Sequence, residues 1–356
     1  MKTSHRSSAR HPRESAQACL PDDLRIEPLL DLAEVEHSTW DTLARDCGNL
    51  FATREWISTW WEMFAGHGSL LSFAFRASDG RVVALLPMYV RRGARARELR
   101  FLGHGEADRL GPVCAPRDRP AVADAMRRAL HESSDRFDVF VGDDVPEHEG
   151  WRAALGAHRV RRTSSPLLRT EGMDWEAFLA TRSPNFRQQA RRRERRLVRG
   201  HRLELRLAAD ASRVSHDLEL MLRLHCARWA GSSTSFTGER ASFHRAFAPK
   251  ALARGWLRLW IAELDGRPAA AWYGFRYGGA DWYYQAGRDP RYDELSVGFV
   301  LMAHTIREAL DHGVAEYRLL RGDETYKQRF ANDDAPVETV MLEHVAIGAG
   351  DAATAA

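Results

Sequence analysis

The alternation of apolar and polar positions repeats itself about halfway along the chain. In LLSFAFRASDGRVVALLPMYV (70–90) apolar runs flank Asp79-Gly80, and in LRLWIAELDGRPAAAWYGFRY (257–277) they flank Asp265-Gly266. Asp-Gly between two apolar runs predicts a β-hairpin, because glycine accepts the positive φ of a tight turn. Each hairpin follows a segment with helical spacing and tryptophan, TREWISTWWEMFA (53–65) and HDLELMLRLHCARWA (216–230). Helix then hairpin, twice, about half a chain apart, predicts two α/β units of one plan.

The second unit continues with a strand, ADWYYQAG (280–287), a loop, and a helix from about Ser296 to His312. Phe299, Met302, Ile306 and Leu310 share one face of that helix. Ser296 is its expected N-cap and Gly313 its stop. A strand over 315–320 then leads into RGDETYKQRF (321–330). The first unit carries a weaker version: ELRFLGHGEADRLGPV (98–113), a helix over 119–133 and a strand over 137–142. The turn ELSVG (294–298) could offer free backbone N–H groups to a pyrophosphate, or simply open an ordinary capped helix.

A chain of 356 residues favours two domains, and 44% apolar with 28% charged residues fits a globular protein. No apolar run is long enough to span a membrane and no secretory h-region precedes Asp23, so a soluble cytoplasmic protein is expected. Cys19, Cys47, Cys114 and Cys226 are scattered without metal-ligand spacing, so reduced thiols and no metal are expected. A net charge of +3 is too small to argue for nucleic acid from the whole chain. Phosphate-loop and dinucleotide motifs are absent, as is a G-x-S-x-G nucleophile elbow. His104 and His225 read as structural histidines. What remains is transfer of an acyl group from a bound thioester to an amine. Such a site needs a pyrophosphate cradle, a proton donor for the departing group and a base for the acceptor. Asp281, Tyr283, Tyr284, Asp323, Glu324 and Tyr326 are the polar residues in the right neighbourhood.

Of 52 basic residues only Lys2, Lys250 and Lys327 are lysine, which singles out Lys327 between Tyr326 and Phe330. Lysine exchanges a proton or acts as a compact charge where arginine does neither. Arginine concentrates in RSPNFRQQARRRERRLVRGHR (182–202), with Ser183 as N-cap, Pro184 in the first turn and Gly200 as the stop. Phe186, Ala190 and Leu197 make a narrow apolar stripe, leaving the other sides basic for a phosphate-rich partner or for solvent.

These segments together resemble a family. FATREWISTWWEMF, DGRVVALLPMYVRR, LRFLGHGEADRLGPV, SPNFRQQARRRERRL, DGRPAAAWYGFRYGGADWYYQAGRDPRY, SVGFVLMAHTIREALDHG and LLRGDETYKQRF are similar to the CelD-type acyltransferases. That branch of the GNAT superfamily is often encoded with cellulose or other exopolysaccharide genes. The chain also looks like the Fem aminoacyl transferases, which carry two GNAT-like halves. Gly322, an acid at 323 or 324, Tyr326-Lys327 and Phe330 match the closing motif most specifically. There are two departures. Arg109 follows Asp108 where the family often has tyrosine, and the long Q/R-x-x-G-x-G/A loop of standard GNAT enzymes is absent. Coenzyme A binding is therefore inherited by fold analogy.

The resemblance implies an α/β fold of two tandem GNAT-like domains, each a mixed β-sheet flanked by helices. They would run over 24–165 and 166–345 with disordered tails at 1–23 and 346–356, and the second would hold the donor. The implied function is transfer of an acyl group, acetyl first, from acyl-CoA to an amine of an anionic sugar, lipid-linked or envelope precursor. Lys327, Tyr326, Asp323, Glu324 and Tyr284 would be catalytic; Ser296, Val297, Gly298, Tyr283 and Gln285 would bind the donor. Trp56, Asp108, Arg187, Arg192, Arg193 and Arg196 would bind the acceptor. Two alternatives remain open: a Fem-like transferase using aminoacyl-tRNA, and a non-catalytic accessory protein that binds polysaccharide through its eleven tryptophans.

Overall fold

The computed structural model describes residues 23–229, 233 and 235–343. The tails assigned to the termini (residue 23 apart), and Cys19, lie outside the described residues.

The second hairpin forms as its pattern requires. Leu257–Leu264 pairs with Arg267–Tyr277, Leu264 opposite Arg267, across a two-residue turn with φ of 53° at Asp265 and 75° at Gly266. Two successive positive φ values match the twist of the flanking strands. Ala280–Arg288 adds antiparallel to this hairpin, and the helix Val297–Asp311 crosses over to a parallel strand, Glu316–Arg318. Leu203–Leu207, Pro166–Arg169 and Asp333–Asp334 complete a seven-stranded sheet.

Both faces of this sheet are covered, and the alternation of its strands sorts the residues. Leu257, Leu259 and Ile261, with Tyr273 and Phe275, face the helices Val214–Trp229 and Gly238–Ala253. Trp260, Ala262 and Leu264, with Trp272, face Val297–Asp311 and the arginine helix Pro184–Gly200. Successive strand side chains point to opposite faces, so one strand supplies both cores.

The first hairpin, Ser72–Arg76 with Val82–Leu86, turns at Gly80 (φ 85°) and belongs to a four-stranded sheet. Pro87 then interrupts the run, having no N–H for a ladder, and Met88–Arg92 enters a separate six-stranded sheet. In that sheet Arg97–Phe101 lies parallel to Val139–Pro146. The division at 165/166 does not capture the last strand. Val337–Glu343 returns to the first half and pairs between Val139–Pro146 and His158–Thr163. A repeat of local patterns cannot reveal this, because strand pairing between distant segments leaves no local mark.

The two halves share a core at their seam. Trp56, from the helix Arg54–Phe64, is fully buried, with ring centroids 4.7 Å from Phe51 and 4.8 Å from both Phe243 and Phe247. The acceptor-binding role expected for Trp56 is thereby corrected: its ring is packed among aromatic side chains of both halves.

Candidate active site

The parallel pairing of the second sheet stops at Trp282 and Arg318, so residues 283–288 run on without a partner on that side. Tyr273 is opposite Gln285 and Gly274 opposite Tyr283, which leaves Tyr284 as an extra residue in the strand. Such a bulge bends a strand and re-aims its side chains. Tyr283 packs beside Trp272 on the arginine-helix side, centroids 5.8 Å apart. Tyr284 packs toward the seam, and its hydroxyl donates to the Glu106 carbonyl at 2.8 Å. Two cavities open at this splayed edge.

The first, of about 320 Å³, is lined by Trp272, Tyr283, Ser296, Gly298 and Phe299 among others. Ser296 sits immediately ahead of the helix Val297–Asp311. It holds the N-cap position as expected, but with φ of 57° and without a side-chain capping bond. The amides of Phe299 and Val300 bond the Ser296 carbonyl, while those of Val297 and Gly298 have no acceptor among the described residues. Val297 buries its side chain and contributes only this backbone group. Beside these free amides stand two guanidinium groups without a carboxylate partner, Arg193 at 4.5 Å over the Phe299 ring and Arg329 at 5.5 Å from it. Burial, then the like charges of Arg329 and Arg192, push the Arg193 pKa down. Free N–H groups, a helix N-terminus and cations without carboxylate partners among the described residues are the groups that favour an anion.

The second cavity, of about 470 Å³, lies between the halves and is polar. Glu106 pairs with Arg240 at 2.8 Å, Asp108 with Arg321 at 2.8 Å, and Glu324 with Lys327 at 3.0 Å. Arg228 lines both cavities, lies 5.9 Å from the Tyr326 ring centroid and has no carboxylate partner among the described residues. Tyr283 and Tyr326 also line both cavities, their hydroxyls 3.2 Å apart. Burial pushes both phenol pKa values up, so each keeps its proton. The pair forms the partition between an anion-binding, partly aromatic chamber and a charged one.

The remaining expected residues are divided by the fold. Lys327 and Glu324 line the polar cavity, but Lys327 is 5% exposed and its ammonium donates to the Arg321 carbonyl at 2.6 Å. Asp323 is exposed and lines neither cavity. Gln285, expected on the donor side, lines the polar cavity. Arg193 lines the anion chamber and not the acceptor side, because the arginine helix packs against the site helix. Arg187 instead bonds the Arg182 carbonyl at 2.7 Å, Arg196 the Glu294 carbonyl at 3.3 Å, and Arg192 is exposed. Glu106, Arg228, Arg240, Arg321 and Arg329 were not anticipated. Glu106 lay inside the GHGEAD segment, but single arginines carry no signal in an arginine-rich chain.

The corresponding opening of the first half is filled. Past its parallel pair with Arg97–Phe101, the strand Val139–Pro146 receives the Leu110 amide at the Asp144 carbonyl, 3.0 Å. Behind this bridge Glu149 accepts from Arg109 at 2.5 Å, Arg119 at 2.9 Å and Trp151 Nε1 at 2.7 Å. The Arg109 that departs from the family pattern is thus a buried partner of Glu149.

The fold is that of two tandem GNAT-like halves, and it is the second half that carries the acetyltransferase match. Residues 184–328 match the family described as acetyltransferase (GNAT) domain. Among solved structures, FemX superposes with a TM-score of 0.62 at 11% identity, covering 87% of this chain and 96% of its own. L-PGS from Bacillus licheniformis gives 0.53 at 11% identity, covering 86% and 90%. A tandem GNAT protein from the clavulanic acid biosynthesis pathway gives 0.50 at 15% identity, covering 90% and 98%. No curated protein matches the sequence significantly. Among the described residues no helix is long and apolar enough to cross a membrane, and no group of His, Cys, Asp and Glu could hold a metal ion.

Proposed function

We propose that the chain transfers an acyl group, acetyl in the first instance, from acyl-CoA bound in the second half to an amine in the polar cavity. The observation that carries this reading is the shared Tyr283–Tyr326 partition, with an anion site on one side and a charged chamber on the other. A donor pyrophosphate would meet the Val297 and Gly298 amides, Arg193 and Arg329. Its thioester would reach the partition, where a protonated phenol can supply the proton that the departing thiolate needs. Arg228, without a carboxylate partner among the described residues at the same junction, would attract the negative charge that develops on the acyl oxygen. Lys327 serves here as a positioning residue: it ties the Arg321 carbonyl to Glu324 and so holds the wall that carries Tyr326.

The acceptor would be an amine of a sugar, lipid-linked or cell-envelope precursor, as the CelD-type resemblance implies, handled in the cytoplasm. Calorimetry with acetyl-CoA should give one site per chain, and mass spectrometry of an aminosugar panel should reveal the acetylated product. Two sites per chain, or none, refutes the donor assignment. The Fem-like reading has one observation in its favour: Arg192, Arg195 and Arg199 are exposed on the arginine helix without carboxylate partners among the described residues. A melting-temperature rise with aminoacyl-tRNA and none with acetyl-CoA would select that reading; a rise with an oligosaccharide alone would select a non-catalytic binder.

A further inference from the structure

We infer that His225 is the base that deprotonates the acceptor amine. The inference rests on the acyl-transfer reading above and assigns a group that acyl transfer requires and the other residues of the cavity do not supply.

His225 lies on the helix Val214–Trp229, 1% exposed, yet its ring reaches the polar cavity. Its Nδ1 is 3.1 Å from the Ala286 carbonyl. A carbonyl only accepts, so Nδ1 carries the hydrogen and Nε2 keeps its lone pair. Nε2 is 3.0 Å from the Ser233 hydroxyl, which lines the same cavity. The helix is fixed at this point by close approach to the strand: a Cβ on Gly287 would lie 2.3 Å from the His225 amide nitrogen. Glycine is required there because backbone meets backbone.

The alternatives in the chamber are occupied. Glu106 is held by Arg240, Asp108 by Arg321 and Glu324 by Lys327, so the carboxylate oxygens of the chamber are engaged by cations. The phenols of Tyr283, Tyr284 and Tyr326 are all shifted upward and protonated. On the histidine's own helix the charged neighbour is Arg228; across the cavity stand Glu106, Arg240, Arg321, Glu324 and Lys327. Burial, reinforced by Arg228 and opposed by the bond to Ala286, keeps the imidazole neutral at pH 7.

The step balances. The acceptor enters as R–NH₃⁺ and passes one proton to Nε2, directly or through the Ser233 hydroxyl, leaving a neutral amine and an imidazolium. The nitrogen lone pair forms the C–N bond at the thioester carbonyl carbon, and the C–S pair departs on sulfur. Sulfur takes a proton from the phenol pair, the second N–H proton restores the phenol, and the imidazolium releases its proton to solvent. The products are the amide, the free thiol and one proton.

The test has two readouts on the full chain. Nitrogen NMR of histidine-labelled protein, with His225 assigned by its loss in His225→Asn, should find it neutral and Nδ1–H at pH 7. A cationic ring, or hydrogen on Nε2, overturns the inference whatever the donor. Acetyl transfer is then followed with ethanolamine, which is charged at neutral pH, and with hydroxylamine, which arrives neutral. His225→Asn retains a donor for the Ala286 carbonyl but no basic nitrogen. It should lose about a hundredfold or more of kcat with ethanolamine, far less with hydroxylamine, and the acid limb of its pH profile. Equal loss with both amines, or none, also overturns the inference. Ser233→Ala, at the cavity surface, guards against a folding artefact and should show the same selectivity in smaller degree. Calorimetry with acetyl-CoA separates the two failures: absence of binding to the wild-type chain sinks the donor reading, while the NMR result still decides His225.

Discussion

Replacing Gly298 with valine tests the donor site without disturbing the fold. A Cβ at Gly298 would meet only Arg288 Cδ, at 3.6 Å, which is ordinary contact. Gly298 does not appear among the glycines with positive φ, so a β-branched residue is compatible with its backbone. The new side chain must therefore enter the chamber that Gly298 lines, in front of the two amides that lack acceptors. Hydrogen bonds to a charged group contribute about 1.5–3 kcal/mol each, and a valine that blocks one of them should weaken acetyl-CoA binding by about 1–3 kcal/mol. That is roughly a 5- to 150-fold rise in Kd. Calorimetry measures it directly; Gly298→Ala should give an intermediate value, and the melting temperature without ligand should stay within a few degrees. Unchanged affinity in the valine variant would mean that the pyrophosphate lies elsewhere.

Three further outcomes are expected. Tyr326→Phe removes one phenol of the partition and should lower kcat by about 100-fold or more with little change in acetyl-CoA Kd; an equal rise in Kd would make Tyr326 a binding residue only. Lys327→Met should lower kcat, and Lys327→Arg should not restore it, since the buried ammonium makes short contacts to the Arg321 carbonyl and Glu324; full activity of the arginine variant would show that charge alone suffices. Burial pushes the carboxyls of Asp108 and Asp144 upward, Asp144 to about 7, where both converge on Arg321. An unfolded aspartate loses its proton near pH ~4, so the folded chain holds the extra proton between that pH and 7. This contribution to stability is complete below the unfolded pKa and is lost as pH rises through about 7. Asp144→Asn should flatten the fall in melting temperature over that window, by a few kcal/mol at most; parallel curves for the two proteins would refute the shared proton.

The features that could be read from the sequence are those whose cause is local. Asp265-Gly266 needs no distant contact to fold a hairpin, and Ser183 caps the arginine helix through a bond to its own third residue, Phe186. The helix Gly238–Ala253 escaped because it lies at the seam. Ala241, Phe243, His244, Phe247, Ala248 and Ala251 are all buried, which leaves no narrow stripe, and Pro249 interrupts it. The strand Val337–Glu343 escaped because only its partners in the first half define it. In the site, the rarity of lysine singled out a residue of the polar cavity's wall, while the carbonyl that holds its buried ammonium is set only by three-dimensional contact. His225 looked structural for the same reason, as only the fold sets its Nε2 beside the Ser233 hydroxyl at the cavity.

The repeated fold supplies two openings, and their unequal fates explain why the site is asymmetric. In the first half Glu149 gathers Arg109, Arg119 and the Trp151 indole in one cluster. Such a cluster is costly to desolvate and stays favourable only while every member is paired, so it is fixed in place. The loop ahead of Arg109 delivers Glu106 and Asp108 across the seam to the polar cavity. In the second half the equivalent edge stays open, its amides free and two of its guanidinium groups without carboxylates. One half thus contributes a wall to the cavity that opens at the edge of the other, and on the proposed reading the reacting centre belongs to the junction between them.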